Sequence, residues 1–169
     1  MELVLPVIEH KQAALDFRRE HLEHGETLIH GGSGLEDTAD YESWLDKVQA
    51  AVTWEYSETL VPASTYWGMQ DNQLVGILQI RHLLNKFLRD TYGHIGYGVR
   101  PSERRKGYAT KMLALALDKC RELDIDRVLV CCDKKNTVSA RIITGNGGIY
   151  DRDIIDSDGD VVEQYWIML

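Results

Sequence analysis

Between residues 99 and 110 the chain reads Val99-Arg100-Pro101-Ser102-Glu103-Arg104-Arg105-Lys106-Gly107-Tyr108-Ala109-Thr110. A β-rich run ends at Arg100-Pro101, where proline removes an amide donor and closes the ladder. The basic turn that follows opens the most regular amphipathic pattern in the sequence, with glycine and alanine at its first positions. At a helix N-terminus several amides have no intrahelical acceptor and the macrodipole is positive, so exposed N–H groups there bind phosphate oxygens. Small residues at 107 and 109 let a phosphate approach the backbone. Around them Arg100, Arg104, Arg105, Lys106 and Lys111 outnumber their one acid, Glu103, by four. The ligand this pattern fits is a pyrophosphate. It is not a P-loop, because no Gly-x4-Gly-Lys-Ser/Thr occurs, and no Gly-x-Gly-x-x-Gly follows a strand as a dinucleotide fold requires.

The elements that must hold this turn can be read on either side of it. Ala109, Met112, Leu113, Ala116, Leu117 and Cys120 fall at i, i+3, i+4, i+7, i+8 and i+11 with charges on the opposite face, the period of a half-buried helix. Val128 to Cys132 is a short apolar strand suited to burial on both faces. Strand, helix, strand implies a right-handed parallel crossover. Upstream, Ser64 to Met69 and Leu74 to Leu84 flank the polar turn Gln70-Asp71-Asn72-Gln73 and read as a hairpin, with a further strand over about Tyr92 to Val99. Two helices precede these, about Glu9 to His24 and about Asp40 to Val52 with Asp40 as N-cap, joined by Gly31-Gly32-Ser33-Gly34, which reads as a flexible connector. A helix over about Thr137 to Thr144, a strand near Ile149, a turn at Asp156 to Asp160 and a strand from Val161 to Met168 complete an α/β mixed sheet.

Arg104-x-x-Gly107-x-Ala109, set between a strand and an amphipathic helix, resembles the Arg/Gln-x-x-Gly-x-Gly/Ala motif of the GNAT superfamily of N-acetyltransferases. The order of elements over residues 3 to 169 is similar to that of the family, Asn136 looks like its pantetheine-contacting asparagine, and Gly147-Gly148 resembles the glycine-containing end of the following helix. The resemblance implies one domain over residues 1–169 with the GNAT (acyl-CoA N-acyltransferase) fold, a mixed, mostly antiparallel sheet of six to seven strands flanked by about four helices. It implies acetyl-CoA as co-substrate, wedged where the strands at Tyr92 to Val99 and Val128 to Cys132 part. Amides of Arg104, Arg105, Lys106, Gly107, Tyr108, Ala109 and Thr110 would take the pyrophosphate, backbone groups of Tyr97 and Val99 the pantetheine arm, and Asn136 would join them. The reaction implied is direct attack by a primary amine.

Some members carry a glutamate base early in the strand before the loop, where this chain has Gly93-His94-Ile95-Gly96. Many carry a tyrosine that reprotonates the thiolate seven residues past the asparagine, where this chain has Ile143. His94 and Tyr97 are the nearest titratable substitutes for catalysis, and a regular strand points them to opposite faces. Catalysis by positioning and backbone polarisation stays open beside them. The alternative reading is a weak or inactive acetyl-CoA-binding sensor or interaction module.

Of 169 residues, 44% are hydrophobic and 27% charged, which excludes collagen-like and disordered classes. The longest run without charge, Thr59 to Gln70, is twelve residues and too short to cross a bilayer. With no basic leader or signal-length apolar run at the N-terminus, a cytoplasmic protein is expected. Cys120, Cys131 and Cys132 suit buried thiols in a reducing compartment. The net charge of −8 argues against nucleic acid as a partner. Residues 1 to 60 carry 4 basic and 13 acidic side chains, which suggests a cationic acceptor such as a polyamine, an aminoglycoside or a lysine-like amine, on a small molecule or a peptide. A homodimer is allowed for, and no membrane partner or metal is expected. His21 and His24 read as a solvated pair rather than a metal site, and Asp156-Ser157-Asp158-Gly159-Asp160 as a hairpin turn rather than a calcium loop, its glycine being fourth rather than sixth. Trp44, Trp54, Trp67 and Trp166 belong to core or rim more readily than to an acceptor pocket.

Overall fold

The computed structural model describes residues 1–156 and 158–169. Alternating apolar residues build seven strands: β1 (Glu2–Val4), β2 (Ala63–Gln70), β3 (Gln73–Arg81), β4 (Ile95–Val99), β5 (Arg127–Asp133), β6 (Ile149–Ile155) and β7 (Val161–Met168). They form one sheet in the order β1-β2-β3-β4-β5-β7-β6. Every neighbouring pair is antiparallel except β4 with β5. The helices are α1 (Lys11–Glu23), α2 (Tyr41–Ala50), α3 (Lys86–Thr91), α4 (Tyr108–Glu122) and α5 (Thr137–Gly145). This is the mixed α/β architecture expected of a GNAT fold.

The sheet separates two apolar cores. On one face Met112, Leu113, Ala116, Leu117 and Cys120 of α4 and Ile143 of α5 pack on Leu78, Ile80, Ile95, Val128 and Val130. On the other, Ala14 and Phe17 of α1 and Tyr41, Trp44, Leu45 and Val48 of α2 pack on Trp67 and Ile77. Trp44 and Trp67 are thus core residues, and α2 starts where expected, the Asp40 carboxylate accepting from the Ser43 amide at 2.8 Å.

Two expectations fail locally. The strands read as Leu74 to Leu84 and Tyr92 to Val99 stop at Arg81 and begin at Ile95, because α3 intervenes. Asn85 caps α3 by accepting from the Leu88 amide at 2.9 Å, and Leu88 is its one buried side chain, too little periodicity to stand out in the sequence. The Gly31–Gly34 segment is no flexible connector. Trp44 Nε1 donates to Gly32 O at 2.8 Å, and Ser33 Oγ shares a hydrogen bond with Thr65 at 2.9 Å and accepts from Gln79 Nε2 at 2.7 Å. Gly31 lies so close to β4 that a Cβ on it would come within 2.4 Å of Gly96 O, so its glycine serves close approach.

What matters for function is the junction of β4 and β5. Their parallel ladder consists of one register pair, Ile95 with Val130. Beyond it β4 runs on to Val99 and β5 to Asp133 without pairing to each other, so the sheet opens between them. The backbone amide of Arg81 donates to His94 O and that of Arg100 to Val75 O. With a period of two, the even-numbered residues of β4 are therefore bonded to β3, and the backbone groups of Tyr97 and Val99 face the opening.

Candidate active site

The opening leads directly to the basic turn. After β4 a 3-10 turn, Pro101–Glu103, delivers the chain to Arg105 and Gly107, both left-handed at φ 63° and 80°, and to the start of α4. Alternating left-handed residues turn successive amides toward one side, the concave arrangement that binds anions. The amides of Arg105 through Thr110 donate to no acceptor among the described residues, and the first α4 bond is Lys111 N–H to Gly107 O at 3.2 Å. A Cβ on Gly107 would meet nothing within 4 Å, so the space in front of it is open.

The charges expected to supplement these amides are largely neutralised. Arg100 meets Glu20 at 2.6 Å, and Arg104 forks onto Glu26 at 2.6 and 2.8 Å while its Nε donates to Val99 O at 3.1 Å. Lys106 pairs with Glu103 at 2.8 Å. Arg105 and Lys111 are left without a carboxylate among the described residues. Acids of the N-terminal region, which suggested a cationic acceptor, thus serve in part to brace the loop.

His21 belongs to this brace and is not a solvated partner of His24. It is buried at 1% exposure with Nδ1 2.8 Å from Glu26, whereas His24 is exposed. Burial holds the His21 pKa below its ordinary value despite Glu26. The Arg104 guanidinium, ahead of the His21 contact, holds Glu26 below the usual carboxylate range.

Burial alone would raise the pKa of Glu20, but the hydrogen bonds from Arg100 and from the Ser102 amide at 2.6 Å outweigh it and bring the value to about 2. A depressed carboxylate pKa contributes stability that is complete above the ordinary value near 4.5 and is lost as pH falls toward 2. Glu20→Gln is expected to cost about 2 kcal/mol at pH 7 and almost nothing near pH 2. Urea unfolding midpoints of the two proteins across that range check it.

At the bottom of the opening Tyr97 and Asn136 come together through a residue the sequence reading missed. Tyr97 Oη lies 2.7 Å from Ser139 Oγ, and the Ser139 amide donates to the Asn136 carboxamide at 3.0 Å, capping α5. Burial pushes the Tyr97 phenol up to about 12. The place where a tyrosine was sought, Ile143, is in the core. Ser139 precedes it by one helical turn on the same face, and a serine on the buried face of α5 was the available signal. Cys132, pushed by burial to about 11, adjoins Ser139. Its register partner is Glu163, a partly exposed carboxylate that accepts from Tyr165 Oη at 2.6 Å.

His94 stands apart from this group. It lies on the opposite face of the sheet from Tyr97, its Nδ1 accepts from the Leu129 amide at 2.9 Å, and its ring packs edge-on against Trp166. Burial, helped by Arg81, lowers its pKa to about 4. The imidazole is therefore neutral, and its Nδ1 ties the start of β4 to β5. Among the described residues no cluster of three metal-ligating side chains occurs, and no helix is long and apolar enough to cross a membrane. Of the acidic turn, Ser157 lies outside the described residues, while Asp156 N–H donates to Asp160 O at 3.0 Å between paired strands β6 and β7.

Residues 9–149 match the family model described as "Acetyltransferase (GNAT) domain". The chain belongs to the GNAT acetyltransferase family. As a member it is an acetyl-CoA-dependent acetyltransferase. Solved structures with the same fold include RimL, a ribosomal-protein α-N-acetyltransferase in complex with coenzyme A joined to it by a disulfide, at 18% identity, TM-score 0.73, covering 99% of this chain and 93% of that one. A spermidine N-acetyltransferase variant from Vibrio cholerae is similar at 11% identity and TM-score 0.68, over 99% and 95% of the two chains. The microcin C7 self-immunity acetyltransferase, solved with acetyl-CoA and AMP, is similar at 12% and 0.70, over 99% and 91%. No curated protein matches the chain by sequence.

Proposed function

We propose that this GNAT member acetylates a primary amine, cationic in solution, on a small molecule or peptide. The observation that carries this reading is the row of undonated amides from Arg105 to Thr110 standing over the opening between β4 and β5, with two bonded hydroxyls at its foot. These residues fit coenzyme A: the amides take its pyrophosphate, the backbone edge at Tyr97 and Val99, whose Val99 carbonyl already accepts from Arg104, its pantetheine arm, and the Asn136 amide nitrogen, without an acceptor among the described residues, adds a donor. Bound acetyl-CoA supplies an activated thioester carbonyl.

The backbone N–H groups of Tyr97 and Val99 polarise a carbonyl placed along that edge. Glu163 takes up the proton that an ammonium group must lose, a step that costs roughly 5 kcal/mol for an alkylamine at pH 7. The Tyr97–Ser139 hydroxyl pair returns a proton to the departing sulfur. Three unpaired cysteines, buried or partly buried, fit a reducing cytoplasmic setting. Free thiol released from acetyl-CoA should appear only when an amine is added. Release that ignores the amine, or none with any amine despite coenzyme A binding, contradicts the reading and favours a binding module.

A further inference from the structure

Arg81 is a cation that no carboxylate among the described residues neutralises. It ends β3 on the face that carries Ile77 and Gln79, opposite to Tyr97 and Ser139, and it is partly buried there. Its Nη1 donates to Gly93 O at 3.2 Å and its guanidinium lies 5.6 Å over the Tyr92 ring. A guanidinium has five N–H donors, and the other four have no acceptor among the described residues. The titratable neighbours that act on it are Tyr92 and Cys131, a phenol and a thiol rather than a carboxylate. Its charge reaches His94, whose pKa it helps to depress.

The position connects this cation to the opening. A Cβ on Gly96 would lie 3.9 Å from Arg81 Nη1, and Cys131 is on β5, so the guanidinium sits across the two strands close to where they part. Gly96 and Gly98 carry no side chain on this face, the His30–Gly31 backbone packs over them, and among the described residues no aspartate or glutamate pairs with Arg81. A shallow pocket farther along the face is lined by Ser33, Lys47, Trp54, Leu60 and Gln79, again without an acid. Burial of an unpaired guanidinium costs free energy unless an anion completes it.

We propose that Arg81 binds a carboxylate of the acceptor, so that the substrate class is a small amine that also carries a carboxylate. This inference rests on the transferase reading above and narrows it. A planar carboxylate accepts two parallel N–H bonds from one guanidinium, which fixes where the amine at its other end lies. Loss of such a charged pair is expected to change kcat/KM by roughly ten- to a hundredfold.

The test pairs amino acids of different chain length with the amines that lack only the carboxylate, and follows thiol release from acetyl-CoA by wild type, Arg81→Gln and Arg81→Lys. Wild type should prefer the acid member of at least one pair about tenfold or more. Arg81→Gln should abolish that preference while the KM for acetyl-CoA and the melting temperature hold, and Arg81→Lys should retain part of it. Equal rates within every pair in wild type, or an Arg81→Gln loss equal for both members, overturns the proposal and leaves the transferase reading standing. No thiol release with any amine overturns both.

Discussion

Ala109→Asp is expected to weaken coenzyme A binding by at least about a hundredfold without harming the fold. Residue 109 lies in the first turn of α4, inside the row of undonated amides. A carboxylate there accepts hydrogen bonds from those amides and opposes the incoming pyrophosphate by charge. Two lost charge-assisted hydrogen bonds, at about 1.5–3 kcal/mol each, already exceed the roughly 2.7 kcal/mol that a hundredfold requires. The same carboxylate stabilises α4, because an acid at a helix N-terminus complements the macrodipole by about 0.3–1 kcal/mol. Affinity and stability should therefore move in opposite directions, which calorimetry and thermal melting read separately. Ala109→Ser, small and neutral, should bind within about threefold of wild type. An aspartate variant that binds as wild type does would show that the phosphates sit elsewhere.

The second large effect is expected at Ser139. Removing its hydroxyl takes away one half of the 2.7 Å pair with Tyr97. If the pair reprotonates the leaving sulfur, Ser139→Ala and Tyr97→Phe should each lower kcat by roughly a hundredfold, with the KM for acetyl-CoA changed less than about threefold. Two groups passing one proton act as a unit, so the double variant should be little slower than either single one. A merely structural pair gives the other outcome: each variant melts lower, because a buried hydroxyl loses its partner, yet kcat holds. Burial places the Tyr97 phenol at about 12, so its own ionisation should leave no inflection in the rate between pH 6 and 9.

The parts legible in the sequence are those governed by local periodicity and capping. The apolar stripe of α4 and the glycine and alanine at its start placed the turn whose amides stand undonated, and Asp40 marked the start of α2. Alternation along β4 also separated His94 from Tyr97. What escaped depends on contacts between distant residues. Arg100 meets Glu20 and Arg104 meets Glu26 across about eighty positions, so a loop that reads as strongly basic is mostly neutralised, and acids that suggest a cationic acceptor partly face the loop. Gly31–Gly34 has a linker's composition, yet Gly31 serves close packing on β4. Ser139 and Glu163 have no motif around them and become candidates only when α5 and β7 bring them beside Tyr97 and Cys132.

Amide-resolved NMR during titration with coenzyme A asks the most of this account. The 15N–1H signals of Arg105 through Thr110 should show the largest displacements, with smaller ones at Tyr97 and Val99, and should stay in place when the nucleoside lacking phosphates is added instead. Saturable binding that leaves those six amides unmoved while others shift, or no binding at all, would contradict it.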